Sequence, residues 1–242
     1  MYIFGGLTLI NQIEMKKILL FFTLIAFVAS VNAQNIQTHY DFGKDRKYVT
    51  TTVEMFKPDK LGNTFFFIDF DYGAGDVEGV SLAYFEIARC MKLGKSPFSW
   101  HGEYNGGFGQ WKAGDAGGAY TINNAWLTGV DYSWNASDFS KGFSLKALYK
   151  NMANTIDSKP NSFQITGVWY LNFLKGKMSF TGFADFWKEK TAFGDFVFLS
   201  EPQIWFNATP HFSFGSEVEL SNNFGGMDGF HVNPTLAVKW TF

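Results

Sequence analysis

Glu54, Asp69, Asp71, Glu103, Asp185, Glu201, Glu217 and Glu219 stand between mostly apolar neighbours, at alternate positions of their segments. Phe65, Phe67, His101, Tyr170 and Trp187 occupy alternate positions of the same kind. Carboxylates accept hydrogen bonds from hydroxyl groups, and aromatic rings offer flat stacking faces. Gathered on one surface, the two would suit a flat, neutral, polyhydroxylated solute. The cations in the same pattern are Lys146 and Lys239, too few for the Arg and Lys rings of a phosphate pathway. The alternative is structural, since a small β-barrel fills its interior with charged and aromatic side chains simply to avoid a hole.

Nucleophilic or metal chemistry has a weaker claim. The histidines after the leader are His39, His101, His211 and His231; no G-x-S-x-G occurs, and no Ser–His pair is placed at an outer strand end. Asp69 and Asp71 could hold a calcium ion, but nothing singles them out. Cys90 is the sole cysteine, so no internal disulfide framework exists. No catalytic group, no metal and no cofactor is expected.

The elements that must carry these side chains are strands. In the closing stretch Phe230–Phe242, Val232, Pro234, Leu236, Val238, Trp240 and Phe242 share one face. His231, Asn233, Thr235, Lys239 and Thr241 share the other. Period-two alternation over such a length predicts a strand with one apolar face. Further alternating runs are expected at 36–42, 47–57, 62–72, 80–92, 98–108, 119–134, 143–151, 162–173, 177–188, 195–207 and 211–221. That makes about twelve strands, with ten as the lower count. In 80–92, Glu86 and Arg89 fall on opposite faces, which predicts a bulge or an end effect. Short connections at 58–61, 93–96, 174–176 and 208–210 alternate with longer Gly-, Asp- and Asn-rich ones at 73–79, 109–118, 152–161, 189–194 and 222–229. The segment 135–142 is the exception. Such alternation, a terminal Phe and many one-sided strands predict an all-β, transmembrane, antiparallel up-and-down barrel of the bacterial outer-membrane type. Tyr72, Tyr120, Trp134, Trp205 and Trp240 are the expected interfacial rings.

Composition agrees. The chain has 29 Phe, 10 Tyr and 8 Trp, yet its mean hydropathy is −0.07. Lipid-facing and lumen-facing residues cancel in a barrel but not in a bundle of spanning helices. The net charge of −2, with no basic run, gives no sign of a nucleic-acid partner. At the front, Lys16 and Lys17 precede an apolar core, Ile18 to Val28, and a small-residue site, Val31-Asn32-Ala33. This predicts a signal peptide over 15–33, cleaved after Ala33, with 1–14 an upstream start-site extension and 34–242 a single barrel domain.

Three opening segments and three closing ones carry a resemblance. His39–Arg46 (HYDFGKDR), Thr50–Phe56 (TTTVEMF) and Gly62–Tyr72 (GNTFFFIDFDY) resemble the start of the Tsx-type nucleoside-specific channel family. Ser200–Gln203 (SEPQ), Phe214–Glu219 (FGSEVE) and Asn233–Leu236 (NPTL) are similar to its end. The likeness is strongest at the start and weak over 109–161, as in a divergent branch whose nucleoside specificity does not transfer automatically. The resemblance implies a monomeric twelve-stranded barrel with a narrow pore that passes nucleosides passively. The expected partners are outer-membrane lipid, a nucleoside-like solute, and the barrel-assembly machinery acting through Phe242. The rival functions are a non-conducting structural or interaction barrel and an outer-membrane lipid-modifying enzyme.

Overall fold

A backbone in hydrocarbon can leave no N–H or C=O unpaired, so a sheet that crosses lipid must close on itself. In the computed structural model, which describes residues 34–44 and 46–242, it does. The signal peptide expected over 15–33 and the start-site extension expected over 1–14 lie outside the described residues. The strands are β1 (Gln34–Asp41), β2 (Val49–Pro58), β3 (Gly62–Tyr72), β4 (Val80–Lys92), β5 (Phe98–Ala113), β6 (Ala116–Asn135) and β7 (Lys141–Met152). They continue as β8 (Asn161–Phe173), β9 (Met178–Lys188), β10 (Phe196–Ser200), β11 (Gln203–Asn207), β12 (Phe212–Asn222) and β13 (Phe230–Thr241). Each pairs antiparallel with its chain neighbour in the wall. β13 closes the ring on β1, from Asn35 opposite Thr241 to Asp41 opposite Thr235. The amide of Phe242 extends that seam to the carbonyl of Gln34 at 3.0 Å.

β10 and β11 are two halves of one wall strand, since both lie between β9 and β12. The wall therefore has twelve strands, the higher of the two expected counts. The break falls at Glu201–Pro202, where proline has no N–H to give. Bonding carries across it: Glu201 N–H donates to Phe183 O at 3.1 Å, and Pro202 O accepts from Val218 N–H at 3.0 Å. The facing residue on β9 is Gly182, where a Cβ would lie 2.8 Å from Glu201 O and 2.9 Å from Pro202 Cα. The close approach of backbone to backbone demands glycine there.

Connections of two lengths segregate to the two rims. The short turns at 59–61, 93–97, 136–140, 174–177 and 208–211 share a rim with the first residue of β1 and the last of β13, hereafter the turn rim. Connections at 42–48, 73–79, 153–160, 189–195 and 223–229 form the opposite loop rim. One expectation fails. The segment 109–118 is no long loop, because β5 and β6 continue to Ala113 and Ala116 and leave only Gly114–Asp115 as the turn. Beyond buried Gly109 its residues are exposed on both faces, so ladder bonds form there without any alternation to announce them.

The faces follow the alternation. On β13, Val232, Pro234, Leu236, Val238 and Trp240 are exposed on the outer face, Leu236 at 62%, while Asn233, Thr235 and Ala237 are buried inward. Exposed rings and aliphatic side chains recur on the outside of the other strands, as at Trp126, Val130 and Trp134 on β6. On β4, Tyr84, Glu86, Ala88 and Cys90 point inward. Arg89 points out at the strand end, where its guanidinium clamps Asp59 of the neighbouring turn at 2.5 Å. The predicted end effect is thus real. The register also slips between Asp71 and Tyr72, giving β4 its bulge. Among the expected interfacial rings, Tyr72, Tyr120, Trp134 and Trp240 are exposed, but Trp205 is not: it is 0% exposed and lies inside. It sits two residues from inward-facing Gln203, and the pleat assigns both to the same face.

Candidate functional site

The lumen is lined in layers. Near the turn rim, Glu54 accepts from Asn35 Nδ2 at 2.9 Å, and Asn35 Oδ1 accepts from Gln37 at 2.9 Å. Gln37 in turn meets His39 Nε2 at 3.0 Å, and His39 Nδ1 meets Thr235 Oγ1 at 3.1 Å. Trp205 closes this layer. Its indole N–H donates to Gln203 at 2.9 Å, the His39 ring packs edge-on at 6.0 Å, and Lys239 Nζ stands 4.0 Å from the ring centroid. The cation–π contact gives a lumenal lysine a partner without a carboxylate. Gln203 also donates to Glu217 at 2.6 Å.

The middle layer holds the aromatic and acidic residues expected from the alternation. Phe65 and Phe67 have centroids 5.9 Å apart, and Tyr84 adds a third ring 5.8 Å from Phe67. One pleat further along β3, Asp69 accepts from Thr52 Oγ1 at 2.5 Å, and Asp71 accepts from Thr50 Oγ1 at 2.6 Å. Glu201, at the strand break, stands in the field of Glu217 and Glu219 on the neighbouring strand β12 and of Asp69 on β3. On the opposite wall, Glu86 faces Glu103, Asp185, Lys146 and Lys150. Asp185 accepts from Thr166 at 2.5 Å, and Thr166 accepts from Gln164 Nε2 at 3.0 Å. Lys150 Nζ donates to Gln164 Oε1 at 2.8 Å. His101 and Glu103 form a buried pair on β5, Nε2 to Oε2 at 2.8 Å.

Toward the loop rim, Arg46 from the 42–48 connection turns inward. It donates to Glu219 at 2.8 Å and to Asp41 at 3.2 Å, while Glu219 also accepts from Ser221 and Asn233. Burial alone would weaken the Arg46 charge, but the field of Glu219 and the carboxylate of Asp41 hold its pKa above the ordinary guanidinium value. On the other side of the same rim, Trp187 donates to Glu189 at 2.7 Å and carries Lys150 over its face at 4.2 Å.

The structure therefore brings the expected set into one interior but divides it into two groups. Glu54, Phe65, Phe67, Asp69, Asp71, Glu201, Glu217 and Glu219 gather around β2, β3 and β10–β12. His101, Glu103, Asp185 and Trp187 belong to the wall from β4 to β9. Sequence reasoning missed Glu86, Lys150 and Arg46, the first because Arg89 put a charge on the opposite face of the same strand. It also missed an apolar cluster inside the loop rim. Leu127, Leu148, Met152, Trp187 and Val197 pack there with Leu199 and with Phe224 from the 223–229 connection. The inward face of β6 is apolar at Ala125 and Leu127 and acidic at Asp131, which is why neither face of that strand is apolar throughout.

A closed twelve-stranded antiparallel wall, greasy outside and polar inside, defines a transmembrane barrel of the outer-membrane type. The chain belongs to the family described as "Domain of unknown function (DUF5020)", whose match spans residues 33–242. No curated protein is similar enough to match. Among solved structures it is similar to one described as "KdgM porin", with 10% identity and a TM-score of 0.52 over 86% of this chain and 98% of that one. It is also similar to a "NanC porin" structure, with 11% identity and a TM-score of 0.58 over 87% of this chain and 100% of that one. At such identities the likeness is one of fold.

Proposed function

We propose that the chain is a porin-like outer-membrane channel for passive uptake of nucleosides or similar small polar solutes, neutral or cationic. The observation that carries this reading is the Phe65–Phe67–Tyr84 ring track lying beside Asp69 in a lumen dominated by carboxylates. A base stacked on Phe67 would hold its sugar one pleat away, about 6.6–6.8 Å along the strand, within reach of Asp69. The Tsx-like opening segments include these same residues. The fold shared with barrels described as porins supports a channel in general and leaves the solute to the lumen chemistry. Stacking contributes about 1–3 kcal/mol per base and a neutral hydrogen bond about 0.5–1.5 kcal/mol, so binding would be millimolar or weaker. A solute that must also leave needs no more.

Purified barrel reconstituted in planar bilayers tests the reading. A KCl gradient should give a reversal potential favouring K⁺, and nucleosides should reduce the current. Phe67→Ala should weaken that block about 5- to 150-fold, the range that loss of one stacked base implies. Asp69→Asn should relax discrimination between nucleosides and free bases. Conduction that no nucleoside alters would remove the solute and keep the channel.

The second reading is a non-conducting barrel, and the apolar cluster of Leu127, Leu148, Trp187 and Phe224 inside the loop rim favours it. Absence of any current from folded barrel would establish it. The enzymatic reading draws no support from the histidines: among the described residues, His39, His101, His211 and His231 bond to Thr, Gln, Cys, Glu and backbone oxygen, never to a serine hydroxyl.

A further inference from the structure

Cys90, His101 and Asp131 come from three consecutive strands and converge on one point of the inner wall. Cys90 lies directly opposite His101 in the β4–β5 ladder, and His101 lies opposite Gly129 in the β5–β6 ladder, two residues from Asp131. All three are buried, and His101 is 0% exposed. Cys90 Sγ is 3.2 Å from His101 Nδ1 and 3.4 Å from Asp131 Oδ2, and the three donor atoms lie within 4.8 Å of one another.

With the His101 proton on Nε2, hydrogen bonding alone leaves one of these two contacts without a hydrogen. His101 Nε2 is 2.8 Å from Glu103 Oε2, so a neutral ring places its proton there and turns the Nδ1 lone pair toward the thiol. Asp131 Oδ2 brings another lone pair. One S–H hydrogen can serve only one of the two acceptors. The arrangement is that of a ligand set. A tetrahedral zinc ion with Zn–S about 2.3 Å and Zn–N or Zn–O about 2.0–2.1 Å separates sulfur from nitrogen or oxygen by about 3.5 Å. The separations of 3.2 and 3.4 Å lie within a few tenths of an ångström of that. The support around the set fits as well. A ligating histidine commonly gives its other N–H to a carboxylate, which is the position of Glu103, and Asn105 Nδ2 in turn donates to Glu103 Oε1 at 3.2 Å. Ser133 Oγ donates to the second oxygen of Asp131 at 3.1 Å, leaving Oδ2 to face the sulfur.

We propose that Cys90, His101 and Asp131 form a binding site for a single divalent transition-metal ion of the zinc class, with a fourth position left for water or a solute atom. Binding displaces the thiol proton: the Cys90 S–H bond breaks, a metal–sulfur bond forms, and one proton goes to solvent for each ion taken up. No sequence motif announces the site because its ligands lie 11 and 30 residues apart on separate strands, brought together only by ladder register. The proposal is independent of what the lumen conducts.

Folded barrel in detergent, freed of metal with chelator, should be titrated with Co²⁺ alone and then with Zn²⁺. One equivalent of Co²⁺ should bring up a thiolate-to-cobalt charge-transfer band and the visible bands of four-coordination, and Zn²⁺ should abolish both. Cys90→Ser should lose the charge-transfer band, and Glu103→Gln should weaken Co²⁺ binding about 10- to 100-fold while leaving the band in place. Heat-modifiable migration on gels shows that each variant is folded. Wild-type barrel that gives no charge-transfer band at excess Co²⁺ overturns the proposal without recourse to any variant. So does Cys90→Ser with an unchanged spectrum.

Discussion

Asp59 shows how a single side chain sets a turn. Its carboxylate accepts from the backbone N–H of Leu61 and Gly62 at 2.8 and 2.9 Å and from both arms of Arg89, at 2.5 and 2.9 Å. The Arg89 bond is the largest cause holding the Asp59 pKa well below the ordinary carboxylate range, with the two amides adding to it. A depressed folded pKa means that the contribution is present above the unfolded value of about 3.9 and is lost as pH falls through the folded value. Acidification from pH 5 toward pH 2 should therefore leave the Asp59 carboxyl signal ionised longer than a free aspartate in an NMR titration. Arg89→Gln should move that titration upward toward about 3.9; an unmoved curve would mean that the clamp is absent in solution. This pairing was half legible in the sequence: Pro58-Asp59 announces a turn, and Arg89 announces itself only by being on the wrong face. Trp205 was misread for a different reason. A tryptophan near a strand end suits an interface, but two residues from Gln203 the pleat turns it inward, and parity outranks residue type.

At the scale of the strand, alternation located β3 and β4 to the residue and most others to within a few. It worked where one face meets lipid and the other meets a polar lumen, as on β13. It gave nothing on the β5–β6 hairpin beyond the wall, where neither face is selected. It also could not see the break at Glu201–Pro202 as a break, because β9 and β12 bridge it. The register of β13 is testable directly. Leu236 faces outward at 62% exposure, and Thr235 is buried within, where Ser216 Oγ bonds its carbonyl at 2.6 Å. Leu236→Arg should cost about 2–4 kcal/mol of barrel stability in a urea titration from lipid vesicles, as a charge at the midplane does, and Leu236→Ala much less. Cysteines placed at the two positions should also differ: Leu236→Cys should be labelled by a lipid-soluble maleimide, and Thr235→Cys should be spared. Equal labelling would mean a register shifted by one residue.

At the scale of the molecule, the sequence foretold an acidic lumen, and the structure adds how the acids are shared out. Those around β2, β3 and β12 have Arg46, threonines and amides as partners; those around β4 to β9 have Lys146 and Lys150. Which carboxylate meets which cation depends on segments far apart in the chain that the closed wall brings together, as Arg46 and Glu219 are, and no local pattern encodes that. The apolar cluster inside the loop rim was illegible for the same reason, since Leu127, Leu148, Val197 and Phe224 come from four separate segments.

The seam between β1 and β13 makes the wall a ring with no privileged first strand. Phe242 N–H lies 3.0 Å from Gln34 O, so a short glycine–serine linker could join these two residues. New ends could then open in the 153–160 connection, where Lys159 is 81% exposed, without removing one rung of the ladder. Such a circular permutant should refold in detergent to the same heat-modifiable species as the parent. It would nonetheless carry Phe242 in the middle of its chain. Expressed in cells behind a secretion signal, it should therefore fail to reach the outer membrane if assembly reads that residue as a terminus, and succeed if assembly reads the finished surface instead. Rearranging the order of the strands in this way tests whether residues 230–242 serve only as part of the wall or also as an address.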